Sequence, residues 1–254
     1  MLAGKVVVVA GVGPGLGQEI AVRAARHGAD LVLAARTASF LSEVAAKAGG
    51  KALVATVDLA DEAATERLAA AALDEFGRVD VLVHNAFSMP PMRGLTTVDL
   101  PDLSASFDAN VVAALRTIRA FTPSLVESGG SIVVVNSAVL RHSRKPFGPY
   151  KIAKAALLAA TQNLASELGP SGVRVNSVAP GWIWADTLRA WFSYLAAQRD
   201  VPAQQIYDET AATIDLRRLP EPGEVADAVL FLASDLARGI TGQCLDVNCG
   251  EFHH

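Results

Sequence analysis

Cysteine is nearly absent from this chain: among 254 residues only Cys244 and Cys249 occur. Two thiols cannot build a disulfide framework, and a lone C-x4-C without neighbouring histidines is a poor zinc pattern. The chain therefore reads as holding no metal and as suited to a reducing compartment, the cytoplasm. Charge is also scarce, at 19%, and neither sign dominates: 22 Lys and Arg against 26 Asp and Glu leave a net charge of −4. That balance gives no basic footprint for nucleic acid. No uninterrupted apolar run reaches eighteen residues, which argues against a membrane-spanning helix. The short run Val6–Ala10 is followed by Gly11, Gly13, Gly15 and Gly17, so it reads as a buried strand and not as a signal peptide. Aromatic residues make up only 6%, yet Trp182, Trp184, Trp191, Phe192, Tyr194 and Tyr207 crowd into one stretch. What the chain has in quantity is apolar residues, 51%, enough for a large core and too many for disorder.

Short β-branched runs alternate with longer Ala-rich amphipathic stretches. Strands are expected at 5–10, 30–35, 51–57, 79–83, 131–136, 172–178 and 243–248, and helices at 15–27, 38–48, 61–76, 103–127, 150–168 and 222–234. Continuous valine runs suit strands covered on both faces. The regular alternation predicts one α/β domain over 1–254, a doubly wound Rossmann-type fold with a seven-stranded parallel sheet and helices on both faces. Residues 182–216 break the rhythm and read as a small, mostly helical insertion covering the substrate side, with core packing as the plainer reading of its aromatics.

Gly11-Val12-Gly13-Pro14-Gly15-Leu16-Gly17 joins the first strand to the first helix. A loop of this kind offers backbone N–H groups and a helix N-terminus to a pyrophosphate, and glycine lets the backbone come close. The second strand ends before Arg36 and Thr37, where a carboxylate would bind a free ribose 2′-hydroxyl. A guanidinium there favours a 2′-phosphate, so the expected cofactor is NADP(H), with NAD possible; the plainer reading has Arg36 stacking on adenine or pointing to solvent. Asp58, followed by Leu59, could accept from an adenine amino group or cap the next helix.

Tyr150 and Lys154 stand four residues apart at the start of a predicted helix, on one face, and Ser137, thirteen residues before Tyr150, stands just past the strand at 131–136. Alone, such a pair is common on surfaces. Together the three make chemical sense. Free tyrosine ionises near pH 10, and a neighbouring ammonium plus a positive nicotinamide ring would favour phenolate. A tyrosine tuned in this way can exchange a proton near neutral pH while a serine hydroxyl holds the substrate oxygen. The hydride itself must come from the nicotinamide.

These motifs resemble the short-chain dehydrogenase/reductase family, in its compact branch with 3-oxoacyl reductase-like and hydroxysteroid dehydrogenase-like members. The likeness covers essentially the whole chain. The family's T-G-x-x-x-G-x-G loop reads Ala10 to Gly17, its N-N-A-G reads His84-Asn85-Ala86-Phe87, and Pro180-Gly181 follows the sixth strand. The stretches Pro222–Ala226, Phe231–Asp235 and Ile240–Gln243 are also similar. The resemblance implies Tyr150 as general acid/base, Lys154 binding the ribose and acidifying Tyr150, Ser137 orienting the substrate, and Asn110 holding a water that links Lys154 to solvent. It also implies cofactor contacts from Gly11, Gly13, Pro14, Gly15, Leu16, Gly17, Asn85, Ala86, Pro180, Gly181 and Ile183, and assembly as a homotetramer through the helices at 103–127 and 150–168. The chain departs from the family at Ala10 (usually Thr), at Phe87 (usually Gly) and at Ala185 (usually Thr), where Thr187 is a candidate replacement contact. The glycine loop also lacks the second basic residue that NADP(H)-preferring members often carry.

Val139 and His142, in the segment between Ser137 and Tyr150, join Trp182, Trp184 and Trp191 as candidate substrate contacts. Asn136 is expected to satisfy backbone groups, and the basic run Arg141, Arg144, Lys145 to be solvated. The expected activity interconverts a secondary alcohol and a ketone on an apolar small molecule. The competing readings are a catalytically idle nucleotide-binding sensor or scaffold of the same fold, and a net non-redox enzyme such as an epimerase.

Overall fold

The computed structural model describes residues 1–253. In chain order it contains β1 (Val6–Ala10), α1 (Leu16–Arg26), β2 (Asp30–Ala35), α2 (Ala38–Ala48), β3 (Ala52–Thr56), α3 (Glu62–Phe76) and β4 (Val81–His84). There follow α4 (Leu100–Phe107), α5 (Ala113–Ser128), β5 (Ser131–Val135), α6 (Gly148–Leu168), β6 (Arg174–Pro180), α7 (Asp186–Arg199), α8 (Ala203–Ala211), α9 (Pro222–Ala233) and β7 (Cys244–Val247). The seven strands form one parallel sheet in the order β3-β2-β1-β4-β5-β6-β7. This is the expected doubly wound architecture.

The valine runs explain the sheet. Every residue of β1 is buried. Val7, Val9, Leu31, Leu33, Val81, Val83 and Val133 pack towards α1, α2 and α9. Val6, Val8, Val32, Leu82, Ile132 and Val134 pack towards α3, α5 and α6 on the opposite face. Strand alternation thus feeds two cores at once. The direction in which successive strands are added to the sheet reverses between β1 and β4, and open α/β sheets leave a crevice beyond the strand ends at such a point.

Helix boundaries follow local chemistry. Asp61 caps α3 by accepting from the Ala64 N–H at 3.1 Å. At α9, Glu221 and Glu224 form a capping box and Pro222 occupies the first turn. The single helix expected over 103–127 is divided: α4 and α5 are joined by a π-helical turn, Asp108–Val112. The segment 182–216 is helical, as α7 and α8, and its Phe192, Ile206 and Ile214 form a small core with Leu219, which follows it. Among the described residues no helix is long and apolar enough to cross a membrane, and no cluster of three or more His, Cys, Asp or Glu could hold a metal ion.

Candidate active site

A cleft of about 820 Å³ lies over the carboxyl ends of β1, β2, β4, β5 and β6. The glycine loop forms its floor. Gly11 has φ +101°, and a Cβ there would lie 2.3 Å from the Ala86 nitrogen. A Cβ on Gly17 would lie 2.7 Å from the Gly11 carbonyl oxygen. At Gly13 a Cβ would meet nothing within 4 Å, so there it is the missing side chain that leaves cleft space bare. Gly15, φ +84°, precedes α1 and lies outside the lining. The first turn of α1 leaves N–H groups without intrahelical acceptors. Bare backbone, a helix N-terminus and Arg36 with Thr37 beyond β2 suit a dinucleotide's pyrophosphate and ribose.

Pro14, Leu16, Asp58, Leu59, Asn85, Ala86, Pro180, Gly181 and Ile183 also line this cleft, as do Ser137, Tyr150 and Lys154. Asp58 does not cap α3; its Oδ1 accepts from the Ala60 N–H at 3.0 Å. Asn85 Nδ2 donates to the Gly11 carbonyl at 2.6 Å, tying the β4 end to the glycine loop.

Ser137 begins a tight turn in which its Oγ accepts from the Val139 N–H at 3.2 Å, while its own N–H donates to Asn136 Oδ1 at 3.1 Å. Asn136 therefore serves the backbone, as expected, with Nδ2 unpartnered among the described residues. Lys154 is buried, and its Nζ donates to the Val135 carbonyl at 2.8 Å and lies 5.9 Å from the Tyr150 ring centroid. Burial pushes its pKa down to about 8. Burial and the Lys154 charge push buried His84, at the end of β4, to about 3, which keeps it neutral.

The expectation that Lys154 makes Tyr150 more acidic needs correction. Burial is the larger influence and raises the phenol above its ordinary value, with a hydrogen bond to Ser137 pulling it down. Asn110 also differs from expectation. It is buried outside the cleft lining, within the π-turn, where its Oδ1 accepts from the Ser88 N–H and its Nδ2 donates to the Ser88 carbonyl, both at 2.9 Å. Its side chain clamps the loop after β4. Such wide turns recur at functional sites.

The expected substrate contacts are not brought to the cleft lining. Val139 is buried. His142 packs on Phe147 and Phe252, with centroids 5.3 and 5.6 Å away. Trp184 packs on Tyr207 at 4.7 Å within the small core, and exposed Trp191 stacks on Tyr194. Thr187 is exposed in the first turn of α7, outside the cleft lining. Trp182 Nε1 donates to Glu251 Oε1 at 3.1 Å, and burial raises the pKa of that carboxyl. The basic run is not simply solvated, because Arg141 pairs with Asp246 at 3.0 Å. Sequence reasoning missed Glu251 and the Asn110–Ser88 clamp, and the one available hint was the altered N-N-A-G motif.

The Lys154 shift has a measurable consequence. Its folded-state value, about 8, lies below the ordinary 10.5. Between these values the unfolded chain holds the proton and the folded chain has lost it, so stability rises with pH. The unfolding free energy of the wild type minus that of Lys154→Met is expected to grow from pH 8 to 10.5, measured by urea denaturation. A flat difference would mean that the ammonium is not desolvated.

Comparison with known proteins identifies the family. The family described as Enoyl-(Acyl carrier protein) reductase matches residues 11–251. Dehydrogenase/reductase SDR family member 4 of Bos taurus is 35% identical over 259 residues, covering 100% of this chain and 89% of that protein. The 7alpha-hydroxysteroid dehydrogenase of Escherichia coli K12 is 30% identical over 255 residues, covering 98% and 94%. The structure of L-sorbose reductase from Gluconobacter frateurii, complexed with NADPH and L-sorbose, is 26% identical and covers 98% of this chain and 97% of that one, with a TM-score of 0.92. The chain belongs to the short-chain dehydrogenase/reductase family of oxidoreductases.

Proposed function

We propose that the protein interconverts a secondary alcohol and a ketone on an apolar small molecule, with NADP(H) as hydride partner. The observation that carries this reading is one cleft shared by the glycine loop, Arg36, Ser137, Tyr150 and Lys154. Ser137 Oγ holds the substrate oxygen. Tyr150 Oη gives that oxygen a proton during reduction and takes it back during oxidation. Lys154 would hold the cofactor ribose. Asn110 keeps the loop after β4 in place through Ser88. The Ile183 backbone would meet the carboxamide, and Arg36 with Thr37 would hold the 2′-phosphate. A bound nicotinamide would supply or accept the hydride and, when oxidised, would place a positive charge beside the phenol.

Residues 182–216 cover the substrate side, and since the relatives include both a hydroxysteroid dehydrogenase and an L-rhamnose 1-dehydrogenase, the apolar substrate rests on the cleft's own residues. Homotetrameric assembly through α4, α5 and α6 and a cytoplasmic setting belong to the same reading. The direct test follows NADPH absorbance across a panel of ketones. Tight cofactor binding with no turnover of any ketone or alcohol would favour an idle nucleotide-binding protein instead.

The cofactor preference is tested separately. Charge-assisted hydrogen bonds contribute roughly 1.5–3 kcal/mol, or about 10- to 100-fold in affinity. Arg36→Ala is expected to weaken NADPH binding by about that factor and to leave NADH binding nearly unchanged, as read by fluorescence titration. Tighter binding of NADH than of NADPH by the wild type would overturn the preference.

A further inference from the structure

The geometry points to Phe87 as a specificity-determining residue whose ring forms the apolar wall beside the reacting carbonyl and selects alkyl-substituted ketones over polyhydroxylated ones. The inference rests on the carbonyl-reducing reading above and narrows its substrate class. Phe87 stands where the family's motif has glycine, so its ring is an addition to the cleft. It lines the same cleft as Tyr150 and Lys154 and is 42% exposed. Its centroid lies 5.3 Å from that of Tyr150, and the Lys154 ammonium lies 5.4 Å from it, within range of a cation–π contact.

The backbone on both sides of the ring is fixed. The N–H groups of Asn85 and Ala86 donate to the Ala10 carbonyl at 2.8 and 2.9 Å. On the other side Asn110 holds both the N–H and the carbonyl of Ser88. The ring is thus presented to the cleft by a braced loop, and its free surface faces cleft space.

A substrate oxygen hydrogen-bonded to Tyr150 Oη sits within about 3 Å of it. The groups attached to that carbonyl carbon must then share the space bordered by the Phe87 ring. An alkyl group gains by leaving water there. A hydroxyl loses its water against a surface that offers no hydrogen bond. The wall therefore discriminates at the carbon next to the reacting one, where a polyol carries a hydroxyl and a cyclic hydrocarbon skeleton does not.

The test compares wild type, Phe87→Ser and Phe87→Leu with NADPH, using an alkyl-substituted cyclohexanone and a ketose of similar size. In Phe87→Ser, KM for the cyclohexanone is expected to rise about tenfold with kcat nearly unchanged, and the ketose to react no worse than before. Phe87→Leu keeps an apolar wall and is expected to hold the cyclohexanone KM within about threefold of wild type. NADPH affinity and the thermal midpoint report on folding; if Phe87→Ser loses either, Phe87→Ala repeats the comparison without adding a polar group. An unchanged cyclohexanone KM in the ringless variants overturns the inference, as does an equal loss on both ketones, which would mark the ring as a support for Lys154 only. Those outcomes leave the oxidoreductase reading intact. A wild type inactive on every ketone overturns that reading and this inference with it.

Discussion

Replacement of Tyr150 by Phe is expected to lower kcat/KM for ketone reduction by about 10³-fold while leaving NADPH affinity within about threefold. General acid catalysis by a positioned side chain contributes roughly 10²- to 10⁴-fold, and this substitution removes only the transferable proton. The ring, with its contact to Phe87 at 5.3 Å, stays in place. The Tyr150–Ser137 hydrogen bond is lost, but Ser137 keeps the bonds to Val139 and Asn136 that set its orientation. Cleft shape and cofactor binding are therefore preserved, and the loss should fall on kcat. Steady-state kinetics with a parallel binding titration decides the matter: turnover within tenfold of wild type would remove Tyr150 as the proton donor.

The second large effect concerns folding. Gly11→Ala is expected to destabilise the protein by about 3 kcal/mol or more, a fall in thermal midpoint of about 10 °C for a chain of this size. Two causes act together. The backbone at Gly11 has φ +101°, a conformation that L side chains rarely adopt, and the added Cβ would lie 2.3 Å from the Ala86 nitrogen and 2.4 Å from its Cα. Neither neighbour can yield easily, because the Gly11 and Ala86 N–H groups are both bonded across the sheet, to Ala34 and Ala10. Gly13→Ala supplies the contrast. With nothing within 4 Å of the new Cβ, stability should change by less than about 0.5 kcal/mol, while NADPH binding weakens because the methyl group occupies phosphate space. Calorimetry and titration of the two variants separate the roles; equal stability of both would refute the steric account.

The sheet was legible from sequence because its strands are valine runs covered on both faces, which need only local pattern to be seen. The division between α4 and α5 was not, since a π-turn adds one residue to a helix without interrupting its apolar content. Ser137, Tyr150, Lys154, Arg36 and the glycine loop could be placed because strand ends and helix spacing bring them to one edge of the sheet. The raised phenol pKa escaped the sequence reading, because burial depends on neighbours contributed by distant segments. Glu251 was hidden for a similar reason: its partner Trp182 lies 69 residues earlier in the chain. The aromatic crowd at 182–216 was visible as composition, but only packing shows that Trp184 belongs to a core with Tyr207 and that Trp191 faces outward.

The strand order has a consequence for biosynthesis. β1 lies between β2 and β4, and the Val6 N–H is bonded to the Asp80 carboxylate 74 residues later. At ~5–20 residues per second, translation takes about 4 to 15 s to deliver that partner. During this interval one flank of the most apolar strand is an unpaired template for mispairing with other nascent chains. A holdase that covers Val6–Val9 on the ribosome would therefore be expected to raise soluble yield.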